Sequence, residues 1–178
     1  RRGTDVQRGE RILSSGARLH PAAVGLLASA GHTHANVVRN PDVALLATGD
    51  EVIAPGSTLK AGKLFASNLV TLSAWCKRSG FNSSTSILPD DLSIIKSSLN
   101  HCIQTHDAVL TSGGTWSGER DLVVHALKEL GWKQYYHRVR LGPGKGVAFG
   151  TLQNKPVFCL PGGPPSNLMA FLQLALPA

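Results

Sequence analysis

From residue 40 onward, short apolar runs alternate with stretches whose apolar positions recur every three or four residues. The runs predict strands over 43–48, 84–88 and 108–111, each bounded by Gly, Pro, Asn, Asp or Ser. Leu69, Leu72 and Cys76 fall on one face of a helix predicted from Ser67 or Asn68 to about Ser79. Either of those first two residues can cap it, and Gly80 lies past its end. Leu92, Ile95, Leu99 and Cys102 repeat at helical spacing after Asp90-Asp91, one of which is expected to cap that helix. A further helix is predicted from about Leu122 to Leu130, stopped by Gly131. The runs 147–152 and 157–160 flank Gln153-Asn154 and read as a hairpin. After PGGPPSN (161–167) a last helix is predicted from Leu168 to about Leu174, capped by Ser166 or Asn167. Before residue 40, an apolar helix over 22–30 sits between Pro21 and Gly31.

Alternation of strand and helix predicts an α/β fold, three-layer α/β/α, with a mostly parallel sheet and an edge β-hairpin. A length of 178 residues suits one domain, or one domain with part of another.

Composition narrows the function classes. With 42% hydrophobic and 16% charged residues the chain reads as an ordinary soluble protein, and no apolar run approaches the ~20 residues that span a bilayer. Cys76, Cys102 and Cys159 are far apart and without a CxxC pair, which fits buried thiols and a cytoplasmic setting. Net charge is +7, yet the aromatic share is 6% and does not interleave with the basic positions. Nucleic-acid binding is therefore not expected. His32 and His34 lack a third ligand nearby, and no serine or cysteine has the setting of an activated nucleophile.

The acids carry the chemical signal. Of the 11 Asp and Glu residues, six fall in three short segments, each directly after a predicted strand. These are Asp50-Glu51, Asp90-Asp91, and Glu119 with Asp121. Loops after parallel strands gather at one sheet edge, where such folds bind ligands. The third segment belongs to TSGGTWSGERD (111–121). There Gly113 and Gly114 would let backbone N–H groups approach a ligand, and Thr115 and Ser117 would add hydroxyl donors to form a phosphate cradle. Carboxylates beside a phosphate suggest a bridging Mg2+ ion. A tight strand-to-helix turn with a capping acid is the plain alternative. In GPGKG (142–146) Lys145 could reach a phosphate or the loop could simply join two strands. LPGGPPSN offers a second anion seat or a stiffened approach to a helix.

TGDE (48–51), SN (67–68), PDD (89–91), SGGTxSGxxD (112–121), PGK with AFG (143–150) and LPGxP (160–164) occur in one order. Together with RRGTDV at the start, this set resembles the MoeA family of molybdopterin molybdenumtransferases. The resemblance implies a MogA-like molybdopterin-binding domain over 40–178, with 1–39 as the end of the preceding domains. It also implies that the family's earlier N-terminal portion and its C-terminal β-domain are absent here, so that this stretch alone is an incomplete enzyme. It implies insertion of molybdate into adenylylated molybdopterin, with metal-dependent cleavage of the pyrophosphate. Glu51, Asp90 and Asp121 would be the catalytic acids and would hold Mg2+. Asn68, Gly113, Gly114, Thr115, Ser117, Lys145, Pro161, Gly162, Pro164 and Ser166 would bind substrate. Asp5 would complete the partner's site in a homodimer, and a MogA-type adenylyltransferase would be the functional partner. Two departures bear on phosphate handling: Gly142 stands where the family has Lys, and Gly163 where it has Asn. The alternatives are a nucleotide-pterin enzyme of the MogA or CinA type, in which Trp116 and Ser117 break the CinA loop pattern, and a non-catalytic molybdopterin-binding scaffold.

Overall fold

A computed structural model of the chain describes residues 6–113 and 121–178. The chain divides into two compact units, Arg1–Arg39 and Asn40–Ala178. In the first, helix α1 (Pro21–Ser29) opens on Pro21, whose missing N–H costs nothing at a helix start. His20 caps it, its Nδ1 accepting from the Ala23 N–H at 3.3 Å. Asp5 lies outside the described residues.

The second unit is built on a six-stranded sheet in the order β4-β1-β5-β8-β7-β6. Its strands are β1 (Asp42–Thr48), β4 (Asn82–Leu88), β5 (Ala108–Ser112), β6 (Lys133–His137), β7 (Ala148–Leu152) and β8 (Lys155–Leu160). The first four in the sheet order pair in parallel, whereas β8–β7 and β7–β6 are antiparallel. Two-residue strands β2 (Val52–Ile53) and β3 (Leu64–Phe65) form a separate parallel pair. Among the described residues, no helix is long and apolar enough to cross a membrane.

Strand alternation sends successive side chains to opposite faces and so creates two cores. Val43, Leu45, Ala47, Leu110, Phe158 and Leu160 pack on α2 (Ser67–Arg78) and α5 (Pro164–Ala170). Ala44, Leu46, Val109, Val157 and Cys159 pack on α3 (Leu92–Thr105) and α4 (Leu122–Glu129). The result is the three-layer α/β/α architecture that the alternation predicts. All three thiols are buried, and burial pushes Cys159 up to about 12, which leaves it un-ionised.

Local rules explain where the observed elements depart from the expected ones. The hairpin does turn at Gln153-Asn154, both left-handed, at φ 51° and 63°. It is not the sheet edge, however: β8 runs inside, beside β5, and β6 pairs outside β7. A register shift between Gln134 and Tyr136 breaks the alternation of β6, which hides it in the sequence. Neither Ser67 nor Asn68 caps α2; Ala66 holds the N-cap position without a side-chain bond. The last helix begins at Pro164, not Leu168, because prolines fit the first turn and Gly163 supplies the cap position. Ser166 and Asn167 thus lie inside it, and Phe171–Ala175 continues as a π-helical turn. Asp91, not Asp90, caps α3: its Oδ1 accepts from the Ser93 N–H at 2.8 Å and the Ile94 N–H at 3.0 Å.

Trp132 closes the second core over Gly150 of β7. A Cβ at position 150 would meet the Trp132 indole and the Lys133 carbonyl oxygen, part of the backbone of β6. Gly150→Ala is expected to destabilise the chain by about 2 kcal/mol, the usual scale of overpacking. In a thermal melt that corresponds to a drop of roughly 4–8 °C for a domain of this size.

Candidate functional site

The carboxyl ends of β1, β5 and β8 lie side by side, with Ala47 paired to Ser112 and Ser112 to Leu160. A cleft of about 650 Å³ opens there on the α2/α5 face. Its walls include Thr48, Glu51, Asn68, Ser112, Gly113 and Gly162, with Val52, Leu64 and Leu69 as apolar surface. Sequence alone places four of these residues in a site: Glu51, Asn68, Gly113 and Gly162. Pro164, also among the residues expected to bind substrate, lies in the same lining.

Glycines shape the cleft. Gly49, at φ 136°, lets the chain turn so tightly that the Glu51 carboxylate folds back over it; a Cβ there would lie 2.7 Å from both carboxylate oxygens. Gly113, at φ 99°, lets its backbone approach Thr48, whose carbonyl oxygen would be 3.0 Å from an added Cβ. The Gly113 N–H, expected to face a phosphate, instead donates to the Leu160 carbonyl at 3.1 Å. That position therefore contributes close approach of backbone, not a bare donor. Gly114, Thr115 and Ser117, the remainder of the expected cradle, lie outside the described residues.

A hydrogen-bond network fixes the floor. Asn68 donates through Nδ2 to Ser112 Oγ at 2.9 Å and to the Gly162 carbonyl at 2.8 Å. Asn167 donates through Nδ2 to Ser112 Oγ at 3.1 Å and to the Pro161 carbonyl at 2.9 Å. Ser112 is 5% exposed and Asn167 2%, so the two Asn167 bonds form away from competing water, while the Asn68 bonds lie nearer the cleft opening. Pro161 thus acts through its backbone oxygen. Ser112, Thr48 and Asn167 were missed by the sequence reading. Asn167 does carry a signal, since it lies three and four residues before Ala170 and Phe171 and shares their buried face.

The acids do not converge as expected. Glu51 is exposed on the cleft wall on the α2 side. Asp121 caps α4, its Oδ1 accepting from the Val124 N–H at 3.0 Å, on the opposite side of the sheet. Asp90 is exposed beside the TGDE turn, its N–H donating to Asp50 Oδ1 at 3.1 Å. Among the described residues, no group of three or more His, Cys, Asp or Glu side chains could hold a metal ion. The expected Mg2+ triad of Glu51, Asp90 and Asp121 is therefore not present, because the sheet separates loops that share an edge but not a face. Lys145 is exposed in the loop before β7, and Ser166 lies on α5; neither lines the cleft.

Asp121 has an environment of its own. Burial pushes its carboxyl above the ordinary range, partly offset by the Val124 N–H and by His137. Among the described residues its buried Oδ2 has no hydrogen-bond partner, nor have Thr111 Oγ1 and His137 Nε2. Pairing places His137, Ala148, Cys159 and Thr111 in one row across β6, β7, β8 and β5. A raised folded-state value means that ionisation opposes folding: stability falls as pH rises from the unfolded carboxyl value to the folded one. Asp121→Asn keeps a capping side chain and removes the charge. Its melting temperature at neutral pH is expected to equal or exceed that of the parent, with a flatter pH dependence across that window.

Comparison with known proteins places this geometry in a family. Residues 44–178 match the family model described as "Probable molybdopterin binding domain". The chain is 33% identical over 176 residues to a molybdopterin molybdenumtransferase of Haemophilus influenzae, covering 98% of this chain and 43% of that protein. It is 35% identical over 180 residues to the molybdenum cofactor synthesis protein cinnamon of Drosophila melanogaster, covering 99% of this chain and 29% of that protein. The solved molybdopterin biosynthesis moea protein of Pyrococcus horikosii superposes with a TM-score of 0.85 at 31% identity, covering 98% of this chain and 44% of that one. The chain thus spans less than half the length of these relatives. Matched by that family model over most of its length and similar to these relatives, the chain belongs to the molybdopterin-binding domain family of molybdenum cofactor biosynthesis.

Proposed function

We propose that this chain binds molybdopterin in the cleft at the ends of β1, β5 and β8, as part of an enzyme that inserts molybdate into adenylylated molybdopterin. The observation that carries the reading is the cleft itself. Asn68, Ser112 and Gly162, from three different segments, are tied into one rigid polar floor beside an apolar wall and the Glu51 carboxylate. A pterin ring is flat, apolar on its faces and edged with donors and acceptors, and this lining suits each of those properties. The names of the relatives in Haemophilus influenzae and Pyrococcus horikosii support the same substrate class.

Within this reading Glu51 accepts N–H groups of the ring, and the backbone of Gly113 and Gly162 gives the ring room. Asp121 presents a carboxyl on the opposite side of the β5 end, where burial disfavours its charged form. Thr115 and Ser117, between Gly113 and Asp121 in the sequence, are proposed to meet the phosphate. The described carboxylates do not make a divalent-cation site, so no step is assigned to Mg2+. Completion of the site by a partner subunit, and supply of the adenylylated substrate by a MogA-type enzyme, belong to the same proposal.

Two measurements test it. The chain should quench or shift molybdopterin fluorescence on titration, and Glu51→Gln should weaken that binding by about tenfold, the loss of one charge-assisted hydrogen bond. With this chain joined to the remaining length of its relatives, AMP release from adenylylated molybdopterin should require molybdate. Binding without AMP release would leave a scaffold as the function; no binding would remove the pterin assignment.

A further inference from the structure

The network at the cleft floor fixes where every proton of three side chains points. A backbone carbonyl can only accept, so the Asn68 atom 2.8 Å from the Gly162 oxygen is the amide nitrogen. The same argument fixes Asn167, whose amide lies 2.9 Å from the Pro161 oxygen. Each NH2 group has two hydrogens; one goes to the carbonyl and the other to Ser112 Oγ. Ser112 Oγ therefore accepts twice, and a hydroxyl oxygen has two lone pairs. Its hydrogen is the one remaining hydrogen-bonding function. Among the described residues no acceptor takes it, and Ser112 lines the cleft. A serine that could ordinarily donate or accept has been made a donor alone.

The lining indicates which kind of atom this donor meets. Glu51 is the charged side chain among the lining residues, and Lys63, outside the lining, donates to the neighbouring Asp50 carbonyl at 2.6 Å. A lining whose charge is a carboxylate disfavours a phosphate, whereas the apolar wall of Val52, Leu64 and Leu69 accommodates a neutral ring. The Gly113 N–H, the other donor expected at this point, is already taken by Leu160.

We infer that the Ser112 hydroxyl, oriented by Asn68 and Asn167, is the donor that pins a lone-pair atom of the pterin ring in this cleft. The inference rests on the molybdopterin reading above and adds a specificity residue to it. Ser112 sets the ring's acceptor edge toward the strand ends, and Asn68 and Asn167 are positioning residues that act through it. A ligand presenting an N–H at that point would face another hydrogen and be rejected.

The test is a fluorescence titration of the chain with pterin itself, which has no phosphate, and with molybdopterin, alongside thermal melts. Ser112→Ala removes the donor but also strands two asparagine hydrogens. Ser112→Cys is therefore the second variant, near in size and a poor donor. Both are expected to bind either ligand about tenfold more weakly than the parent. Sulfur still accepts weakly from the two asparagines, so Ser112→Cys is expected to melt above Ser112→Ala, and the melts establish that each variant is folded where its binding is read. Parent-like affinity in either folded variant would overturn the inference and leave the molybdopterin reading standing. A weakening seen with molybdopterin and not with pterin would shift the contact to the phosphate end and overturn the ring assignment. A parent chain that binds neither ligand would overturn both.

Discussion

Two asparagine side chains hold the candidate site together. Asn68 from α2 and Asn167 from α5 reach the same hydroxyl at the end of β5, and each also ties down a carbonyl of the 161–162 turn. A buried amide left unpaired costs more than a paired one contributes. That cost falls on Asn167, which is buried, and the network as a whole ties two helices, one strand end and one loop into a single arrangement. That arrangement sets the shape of the cleft before any ligand arrives, so binding need not spend free energy on ordering the floor.

Much of the fold was legible because the sheet interior is apolar and punctuated. β1, β5 and β8 are short hydrophobic runs with turn residues on both sides, and α2, α3 and α4 show their buried faces every three or four positions. The elements that escaped notice have physical reasons. β2 and β3 are too short to carry a period, and the bulge in β6 erases its alternation. The start of α5 was placed late because Pro164 and Pro165 look like breakers, although a first helical turn tolerates them.

The site was legible in its loops and not in its sides. Glu51, Asp90 and Asp121 do follow strands whose ends share one edge. Neighbouring residues of a strand nevertheless look in opposite directions: Ser112 faces α2 and α5, while Thr111 belongs with the α3/α4 layer, toward which Asp121 is drawn by its helix. Counting acids after strands finds the edge; following the parity of each strand decides which of them meet. The same parity explains why the unassigned Ser112 lies nearer the heart of the cleft than two of the carboxylates.

The small parallel pair β2–β3 has a consequence for how this site tolerates change. Leu64 donates to the Glu51 carbonyl at 2.9 Å and Ala66 to the Ile53 carbonyl at 2.9 Å, so the segment that leaves the TGDE turn is clipped to the residues that enter α2. Everything between, residues 54–63, is an exposed excursion that starts and ends at the clip. Insertions or deletions in that excursion are absorbed at its tip and do not alter the spacing between Glu51 and Asn68. The clip thus insulates the spacing of the binding wall from the length of the loop beside it, leaving the loop free to diversify without redesign of the pocket.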